Sequence, residues 1–345
     1  MVSYWRGFSV WIVCSCLLNS AVFSQTTTTL TFQVGGKTRH VIFHVPGGAD
    51  KPPVVFFIHG ANGSGPAFEK ETKGDALADK EKFIAVYPSA SGTGSAGIWD
   101  DMSGTGNYPF FLAILDTLDA RYRIDRNRVY MTGFSQGGFI SFVAGCKYSS
   151  VFAAIAPVSG HAGTSCTLER PVPVFMTFGA QEGASSFLND LNVWLKLDSC
   201  PSTPEVTDLG SGVSKVTYGP CAQGTYVVMD SISGQGHQWP NKMNWAEQVW
   251  EFFKQFSLED ATQISQQTAS ATRETVMASY ASGTIRIQGM KDISRIRVID
   301  SRGRQVTSST GVQQLMNFKN RPTGIYLIRI DGNGRSCVVR KIVVP

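Results

Sequence analysis

Short apolar runs alternate with segments of helical spacing through the middle of the chain. A run that is apolar throughout is typical of a strand buried on both faces of a parallel sheet, whereas apolar residues at every third or fourth position indicate a helix. The alternation predicts an α/β fold: a mostly parallel sheet, helices on both faces, and functional loops at the carboxyl ends of the strands. The predicted buried strands are residues 54–58, 83–87, 129–132, 152–158, 172–177 and 225–232, the predicted antiparallel edge strands are 29–34 and 38–45, and helical spacing marks 110–122 and 245–256.

Residues 129–138, with the sequence VYMTGFSQGG, combine a β-branched and aromatic strand, a Gly-x-Ser-x-Gly turn and the start of an apolar helix. This is the context in which Gly-x-Ser-x-Gly forms a nucleophile elbow, a strained turn that exposes a serine hydroxyl to a base. Gly133 and Gly137 leave room where a Cβ would collide with the neighbouring strand and helix. We therefore predict that Ser135 is a nucleophile and that amides at the start of the helix face a developing oxyanion.

Two glycine-rich loops follow other predicted strands. Residues 59–65 lack the Gly-Lys-Ser/Thr ending of a phosphate-binding loop and suit an oxyanion loop, in which His59 shapes the turn. Residues 234–240 follow the last strand and contain His237, downstream of the serine, which agrees with the order Ser, acid, His of this architecture. We therefore predict His237 as the general base, and His161, which also follows a strand, is the alternative.

Length and charge limit the classes of protein to which this chain can belong. With 345 residues, 42% hydrophobic and 17% charged, the chain can form one large and one small soluble domain. Residues 1–258 hold 18 Lys and Arg against 20 Asp and Glu, while residues 259–345 hold 13 against 6. The positive excess is therefore C-terminal, which argues against a nucleic-acid role for the main domain.

The N-terminal residues 1–24 contain one early cation, Arg6, then a short apolar run and small residues near Ser24. This pattern resembles a secretory signal peptide more than a membrane span, and cleavage is expected near Ser24. Lipidation at Cys16 is the alternative, although the residues before it are a poor lipobox. No later segment is long and apolar enough to span a bilayer.

Export would place the remaining cysteines in an oxidising environment. Without Cys14 and Cys16, five cysteines remain, and four of them form two close pairs in the sequence. Each disulfide would contribute on the order of 3 kcal/mol, Cys337 would stay free, and buried free thiols are the alternative. The predicted pairs are Cys146 with Cys166 and Cys200 with Cys221.

Several motifs together resemble the secreted polyhydroxybutyrate-depolymerase-like esterases, a group that includes the feruloyl and acetylxylan esterases of carbohydrate esterase family one. The resemblance covers about residues 28–256 and implies an α/β-hydrolase fold with Ser135 as nucleophile and His237 as base. It also implies an oxyanion hole formed by the backbone N–H groups of Ala61 and Gln136. The motifs are Ile58-His59-Gly60, Val86-Tyr87-Pro88, the run 122–138, Ala156-Pro157-Val158-Ser159-Gly160 and Gly236-His237-Gln238-Trp239-Pro240.

The acid of the triad departs from the pattern of that family. The family usually has His-Gly-Thr-x-Asp after the sixth strand, whereas residues 178–182 of this chain read FGAQE. The match makes Glu182 the acid that orients the histidine, since glutamate serves this role in some α/β hydrolases. Asp190 is the alternative, and neither a metal ion nor a cofactor is expected.

The C-terminal part of the chain differs in composition from the esterase-like part. Residues 258–283 are rich in Ser, Thr, Ala and Gln, which predicts a linker, and alternating segments after it predict a small β-sandwich. The final sixty or so residues resemble the C-terminal sorting domains of type IX secretion, which implies outer-membrane secretion machinery as a partner. The predicted domains are a signal peptide at 1–24, an α/β-hydrolase domain at 25–257, a linker at 258–283 and a β-sandwich sorting domain at 284–345.

The sequence thus predicts a secreted or cell-surface serine carboxylesterase that removes feruloyl or acetyl groups from plant cell-wall polysaccharides such as xylan. His59, Trp99 and Trp239 are predicted to line the substrate pocket, although Trp99 could equally pack within its loop and Trp239 could brace the histidine loop. Two alternatives remain: a polyhydroxyalkanoate depolymerase, and a non-catalytic carbohydrate-binding protein on a hydrolase fold. The C-terminal domain could also bind carbohydrate, but it offers few aromatic residues for that role.

Overall fold

The computed structural model describes residues 24–90, 97–100, 106–162, 166–242, 244–259, 277–281, 283–288, 293–300, 305–310, 315–332 and 337–344. The predicted signal peptide lies outside the described residues except for Ser24, as do Cys14 and Cys16. The side chain of Cys337 also lies outside them, so its predicted free thiol stays a prediction.

A ten-stranded sheet forms the centre of the larger part of the described chain, in the order β1-β2-β4-β3-β5-β6-β7-β10-β9-β8. Its middle six strands pair in parallel, and its outer strands at both edges pair antiparallel. The strands are β1 (Thr26–Val34), β2 (Lys37–Val45), β3 (Val54–Ile58), β4 (Ile84–Pro88), β5 (Val129–Phe134), β6 (Ala154–Val158), β7 (Val174–Gly179), β8 (Glu205–Asp208), β9 (Val213–Tyr218) and β10 (Val227–Ile232). This is the predicted α/β-hydrolase architecture.

Helices cover both faces of this sheet, because successive side chains of a buried strand point to opposite faces. On β3, for example, Val54, Phe56 and Ile58 join one core cluster, and Val55 and Phe57 join the other. The first cluster includes apolar residues of α3, α4 and α5, and the second includes those of α1, α2 and α6. The helices are α1 (Gly65–Thr72), α2 (Gly74–Glu81), α3 (Tyr108–Tyr122), α4 (Gln136–Lys147), α5 (Ala184–Leu197) and α6 (Trp245–Phe253).

Two disulfides join segments that follow β5 in the sequence. Cys146 at the end of α4 pairs with Cys166, and Cys200 after α5 pairs with Cys221 before β10, as the spacing predicts. The second disulfide brackets the hairpin of β8 and β9, which the sequence pattern did not predict. That hairpin has few buried side chains, so it lacks the apolar run that marks the central strands.

The contacts divide the chain into two compact units, Met1–Ala261 and Thr262–Pro345. The described part of the second unit has a three-stranded and a four-stranded antiparallel sheet, whose buried apolar residues form one shared core. Its strands are β11 (Met277–Ala281), β12 (Thr284–Gln288), β13 (Ile293–Asp300), β14 (Gln305–Thr310), β15 (Leu315–Asn317), β16 (Gly324–Gly332) and β17 (Cys337–Val344).

Strand β11 lies inside residues 258–283, the stretch predicted as linker, and this part of the prediction needs correction. The strand pairs with β12 along its whole length and forms the edge of its sheet. Its Ser- and Ala-containing sequence gives no clear apolar alternation, which is why the pattern missed it. None of the helices in the described ranges has the length and apolar character needed to cross a bilayer.

Candidate active site

The turn between β5 and α4 holds Ser135 in a strained backbone conformation, with φ of 55° and ψ of −112°. Close packing around the turn explains its glycines. A Cβ on Gly137 would lie 2.0 Å from the carbonyl oxygen of Ile58, and one on Gly133 would lie 2.5 Å from the carbonyl oxygen of Gly137. The turn therefore lies directly against the end of β3, and the serine side chain is presented at the carboxyl edge of the parallel strands.

Three side chains from three different strand ends form one chain of hydrogen bonds. The hydroxyl of Ser135 donates to Nε2 of His237 over 2.8 Å, and Nδ1–H of His237 donates to Oε2 of Glu182 over 2.5 Å. Ser135 follows β5, Glu182 follows β7 and His237 follows β10. The structure thus brings together the serine, base and acid that the sequence suggested, in the geometry of a nucleophile, a base and an orienting carboxylate.

The Glu182 carboxylate is held by donors from two further elements. It lies at the end of a one-turn 3₁₀ helix, Ala180–Glu182, and its Oε1 accepts from the hydroxyl of Ser159 over 2.7 Å and from the N–H of Gly179 over 2.9 Å. Asp190, the alternative acid, instead accepts from Nδ1–H of His161 over 2.7 Å. Among the described residues, the carboxylate beside His237 is therefore Glu182.

The histidine loop after β10 is braced by its neighbours. The buried Gln235 donates through Nε2 to the carbonyl of Gln238, and its backbone carbonyl accepts from the N–H of Gln181. A Cβ on Gly179 would lie 2.4 Å from the carbonyl oxygen of Gln235, so the acid loop and the histidine loop are in direct backbone contact. This contact fixes the separation of the Glu182 and His237 side chains.

Trp239 braces the histidine loop and does not line the pocket beside Ser135. Its ring is buried, with edge contacts to Phe68 at 4.9 Å and to Trp245 at 4.5 Å. The prediction of a pocket role for Trp239 therefore gives way to the bracing role that was its alternative. The physical reason is that the ring belongs to the apolar core cluster that contains the buried residues of α6.

His59 and Trp99 are likewise buried under the oxyanion loop and do not line the described pocket. The Nδ1–H of His59 donates to the carbonyl of Gly60 and its Nε2 accepts from the N–H of Ala90 after β4, so both ring nitrogens bond backbone groups. Burial lowers the pKa of His59 to about 4, which keeps the ring neutral. The Trp99 ring packs 4.8 Å from that of His59, and its indole N–H donates to the His59 carbonyl.

The predicted oxyanion residues, Ala61 and Gln136, do lie beside Ser135. Both line its pocket, Ala61 from the loop after β3 and Gln136 as the first residue of α4. The side chain of Gln136 is turned toward Trp99, where it accepts from the backbone N–H and donates to the backbone carbonyl. The two residues predicted to form the oxyanion hole are therefore at the same pocket as Ser135.

A pocket of about 420 Å³ opens next to Ser135. The sequence pattern does not predict its wall on the side of β6 and α5, although it places His161 and the motif that ends β6 directly after a strand. Aromatic and hydroxyl side chains make up most of this wall. The described lining residues are Ala61, Ser135, Gln136, Phe139, Ser159, Gly160, His161, Glu182, Ser186, Phe187 and His237.

The arrangement of these side chains can supply covalent and acid–base chemistry. Within the described residues, no three or more His, Cys, Asp or Glu side chains are grouped so that they could hold a metal ion. The hydrogen-bonded serine, histidine and glutamate can transfer an acyl group through the serine oxygen.

Comparison with known proteins gives two family matches. Residues 39–201 match the family described as Esterase PHB depolymerase, and residues 281–345 match the family described as Secretion system C-terminal sorting domain. The sorting domain makes this a secreted or cell-surface protein.

Among curated proteins, the chain is 28% identical over 241 residues to the bifunctional acetylxylan esterase/xylanase XynS20E of Neocallimastix patriciarum, covering 67% of this chain and 35% of that protein. It is 26% identical over 257 residues to feruloyl esterase B of Piromyces equi, covering 64% and 46%. The chain thus spans about a third to a half of the length of these relatives.

A solved structure, the acetyl xylan esterase from Aspergillus awamori, superimposes with a TM-score of 0.54 at 17% sequence identity. The match covers 66% of this chain and 99% of that structure. At this identity the similarity establishes the α/β-hydrolase fold.

Proposed function

We propose that this chain, which carries an Esterase PHB depolymerase domain and a secretion system C-terminal sorting domain, is a secreted serine esterase that removes feruloyl or acetyl groups from plant polysaccharides such as xylan. The observation that carries the proposal is the hydrogen-bonded chain from Ser135 through His237 to Glu182. A histidine in this position can remove the proton from a serine hydroxyl that is otherwise a weak nucleophile.

The first half of the proposed reaction forms an acyl-enzyme. Oγ of Ser135 attacks the ester carbonyl carbon while Nε2 of His237 takes its proton, and Glu182 stabilises the imidazolium that results. The N–H groups of Ala61 and Gln136 stabilise the oxyanion of the tetrahedral intermediate. As the bond between the carbonyl carbon and the sugar oxygen breaks, His237 gives the proton to that oxygen, so the sugar leaves with a hydroxyl and the acyl group remains on the serine.

The second half repeats the chemistry with water. His237 removes a proton from a water molecule, whose oxygen attacks the acyl carbonyl carbon, and the same oxyanion donors serve the second tetrahedral intermediate. Collapse returns the proton to Ser135 and releases the carboxylic acid. The half-exposed ring of His237, with 52% of its side chain accessible, is open to the incoming water.

Feruloyl esters are the preferred substrate class in this proposal, with acetyl esters second. An acetyl group has three non-hydrogen atoms and occupies little of a pocket of about 420 Å³, whereas an aromatic acyl group uses the apolar wall that includes Phe139 and Phe187. Relatives of both kinds, a feruloyl esterase and an acetylxylan esterase, match this chain at similar identity and are consistent with either ester.

A fluorophosphonate probe combined with an ester panel tests the proposal. The probe should label the wild-type chain and not the Ser135→Ala variant, and that variant should lose roughly 10⁴-fold or more in turnover without a change in melting temperature. Methyl ferulate, acetylated xylan and polyhydroxybutyrate form the panel, and hydrolysis of methyl ferulate is expected to be fastest. A Ser135→Ala variant that keeps a tenth of wild-type turnover would exclude this serine as nucleophile.

The second candidate is a polyhydroxyalkanoate depolymerase, which the description of the matched family favours. Fast release of hydroxy acids from polyhydroxybutyrate, with slow hydrolysis of both sugar esters, would replace the first proposal with this one. A chain that no probe labels and that hydrolyses none of the three substrates would be a non-catalytic binding protein.

A further inference from the structure

A second histidine–carboxylate pair lies in the wall of the pocket that contains Ser135. The Nδ1–H of His161 donates to Oδ2 of Asp190 over 2.7 Å, and Oδ1 of Asp190 accepts from the N–H of Ala162 over 3.0 Å. Asp190 is nearly buried, with 11% of its side chain accessible, whereas His161 is 51% accessible and lines the pocket. The carboxylate is thus fixed by the protein, and the imidazole is presented to whatever enters the pocket.

The hydrogen bonding of His161 differs from that of three other histidines in the described chain. His44, His59 and His237 each use both ring nitrogens in hydrogen bonds to protein groups. For His161, no described residue hydrogen-bonds Nε2. Because the carboxylate of Asp190 accepts from Nδ1–H, the neutral ring carries its lone pair on Nε2 and can accept a hydrogen bond there.

Aromatic stacking holds the His161 ring in place. Its centroid lies 4.6 Å from that of Phe187, and the Phe187 centroid lies 4.5 Å from that of Phe178 at an angle of 14°. Phe187 also lines the pocket, so the acceptor nitrogen belongs to the end ring of an aromatic stack. Such a wall suits a flat, apolar ligand that carries one hydroxyl group at its edge.

We infer that His161, positioned by Asp190, is a specificity residue that accepts a hydrogen bond from the phenolic hydroxyl of a hydroxycinnamoyl acyl group such as feruloyl. This inference rests on the proposed esterase function, because it assigns the acyl group that the Ser135 pocket receives. The ring of the acyl group packs along the wall formed by Phe187 and Phe139, and its hydroxyl reaches Nε2. An acetyl group has no donor that could use this acceptor.

Two esters that differ in a single methyl group test the inference. Methyl ferulate has a free 4-hydroxyl, and methyl 3,4-dimethoxycinnamate has a methoxy group in the same place. The wild-type enzyme should favour methyl ferulate in kcat/KM by roughly tenfold or more, because one neutral hydrogen bond is lost with the second ester. The difference should lie mainly in KM, because the hydroxyl is remote from the reacting carbonyl.

The variant His161→Phe keeps a ring for stacking on Phe187 and removes the acceptor. We expect it to reduce the preference for methyl ferulate to about twofold or less. His161→Gln, whose side-chain amide can still accept near the position of Nε2, should retain part of the preference. Leu188→Ala, at an exposed position of α5 next to Phe187, is the matched control and should keep the wild-type ratio.

A binding measurement, which needs no turnover, serves as the control for variants that lose activity because they misfold. Ser135→Ala with His161→Phe should bind ferulate and 3,4-dimethoxycinnamate equally, whereas Ser135→Ala alone should prefer ferulate. Melting temperatures within a few degrees of wild type establish that the variants are folded.

The outcomes separate the inference from the function on which it rests. If the wild-type enzyme hydrolyses both cinnamate esters but His161→Phe lowers both equally, His161 is a structural brace and the inference fails alone. If the wild-type enzyme cleaves 4-nitrophenyl acetate yet no cinnamate ester, the feruloyl assignment and the inference both fail. A preference for methyl ferulate that disappears only in the His161 variants supports both.

Discussion

Both carboxylate oxygens of Glu182 are occupied, one by His237 and the other by Ser159 and Gly179. The side chain of this glutamate is one methylene longer than that of the aspartate that is usual in the family that the sequence resembles. The 3₁₀ turn that follows β7 and the donors around Oε1 set the longer side chain so that Oε2 reaches the histidine. The longer side chain thus brings a carboxylate oxygen within hydrogen-bond distance of His237, and the position of the carboxylate matters more than the length of its stem.

Replacing this carboxylate tests its role at the level of a single residue. Glu182→Gln should lower kcat by roughly 10² to 10⁴-fold with little change in KM, since the amide neither fixes the tautomer of His237 nor stabilises its cation. Asp190→Asn is the matched variant and should lower kcat far less. Steady-state kinetics on a cinnamate ester give both values, and the opposite ranking would transfer the acid role to Asp190.

A buried carboxylate away from the site makes stability depend on pH. Asp230 on β10 is fully buried, and within the described chain neither of its oxygens has a hydrogen-bond partner. Burial raises its pKa from 3.8 to about 7, and Lys215 on the adjacent strand opposes this only in part. The folded state therefore holds a proton that the unfolded state releases, so stability falls as the pH rises from about 4 to about 7.

The Asp230→Asn variant should remove much of this dependence. We expect the free energy of unfolding of the wild type to decline by on the order of 2 to 4 kcal/mol between pH 4 and pH 8 from this group, and that of the variant to decline less. Burial also raises the pKa of Asp198 to about 7. The free energy of unfolding should therefore still decline with pH in both proteins because of that group. Urea unfolding at several pH values measures the slopes, and equal slopes would contradict the assignment.

The sequence was sufficient to select the three side chains that the structure joins by hydrogen bonds, but not the pocket around them. Ser135 and His237 occupy turns whose local sequences specify them, so motif and order were enough to select them. Trp99 is an aromatic residue on a loop, as a substrate platform would be. Only its packing against His59 and Phe111 reveals that it is buried. His161 and Phe187 come together because α5 contacts the residues that follow β6, and no local pattern encodes this contact.

At the level of elements, apolar runs identified the central strands because those strands are buried on both faces. The hairpin of β8 and β9 escaped detection for the opposite reason. Val206 is 66% exposed and its neighbours on β8 are polar, so pairing with β9 rests on backbone hydrogen bonds and on the position of the hairpin between two bonded cysteines. Edge strands of this kind carry little sequence signal.

The histidine loop is an element whose rigidity can be tested through Trp239. Because this ring packs against Phe68 and Trp245 under the loop, Trp239→Ala should loosen His237 and lower kcat for feruloyl and acetyl esters by the same factor, roughly tenfold or more. Removing a buried Trp also lowers stability by about 3 to 5 kcal/mol, so kinetics are measured below the melting transition. A loss confined to feruloyl esters would instead indicate direct contact with the acyl ring.

At the level of the whole molecule, the second unit is proposed to serve export. Of its three aromatic residues, Phe318 and Tyr326 are buried in the core between its two sheets, and Tyr280 packs against that core. Such residues cannot form an exposed platform for sugar rings. This burial favours the sorting role over carbohydrate binding.

Truncation after Leu258 separates the two units. The first unit should keep near wild-type activity on a soluble ester, because the hydroxyl of Tyr130 still bonds the carbonyl of Phe256, and the N–H of Leu258 still bonds the carbonyl of Asn127. Truncation after Asn244 is the control, since it removes α6 and its buried aromatic residues and should abolish folding.

In a host with the matching secretion machinery, the chain truncated after Leu258 should remain in the periplasm while the full chain reaches the medium. Fractionation followed by an esterase assay measures this. Normal export of the truncated chain, together with lost affinity for insoluble xylan, would assign carbohydrate binding to the second unit.

The spacing of the serine, histidine and glutamate side chains along the chain makes the proposed activity depend on folding. Ser135 lies 102 positions before His237, and Glu182 lies 55 positions before it, so the base joins its partners only when β10 pairs with β7. Until then, the serine hydroxyl has the low reactivity of any free alcohol. An unfolded chain therefore lacks the assembled serine, histidine and glutamate, and its serine would not react with esters.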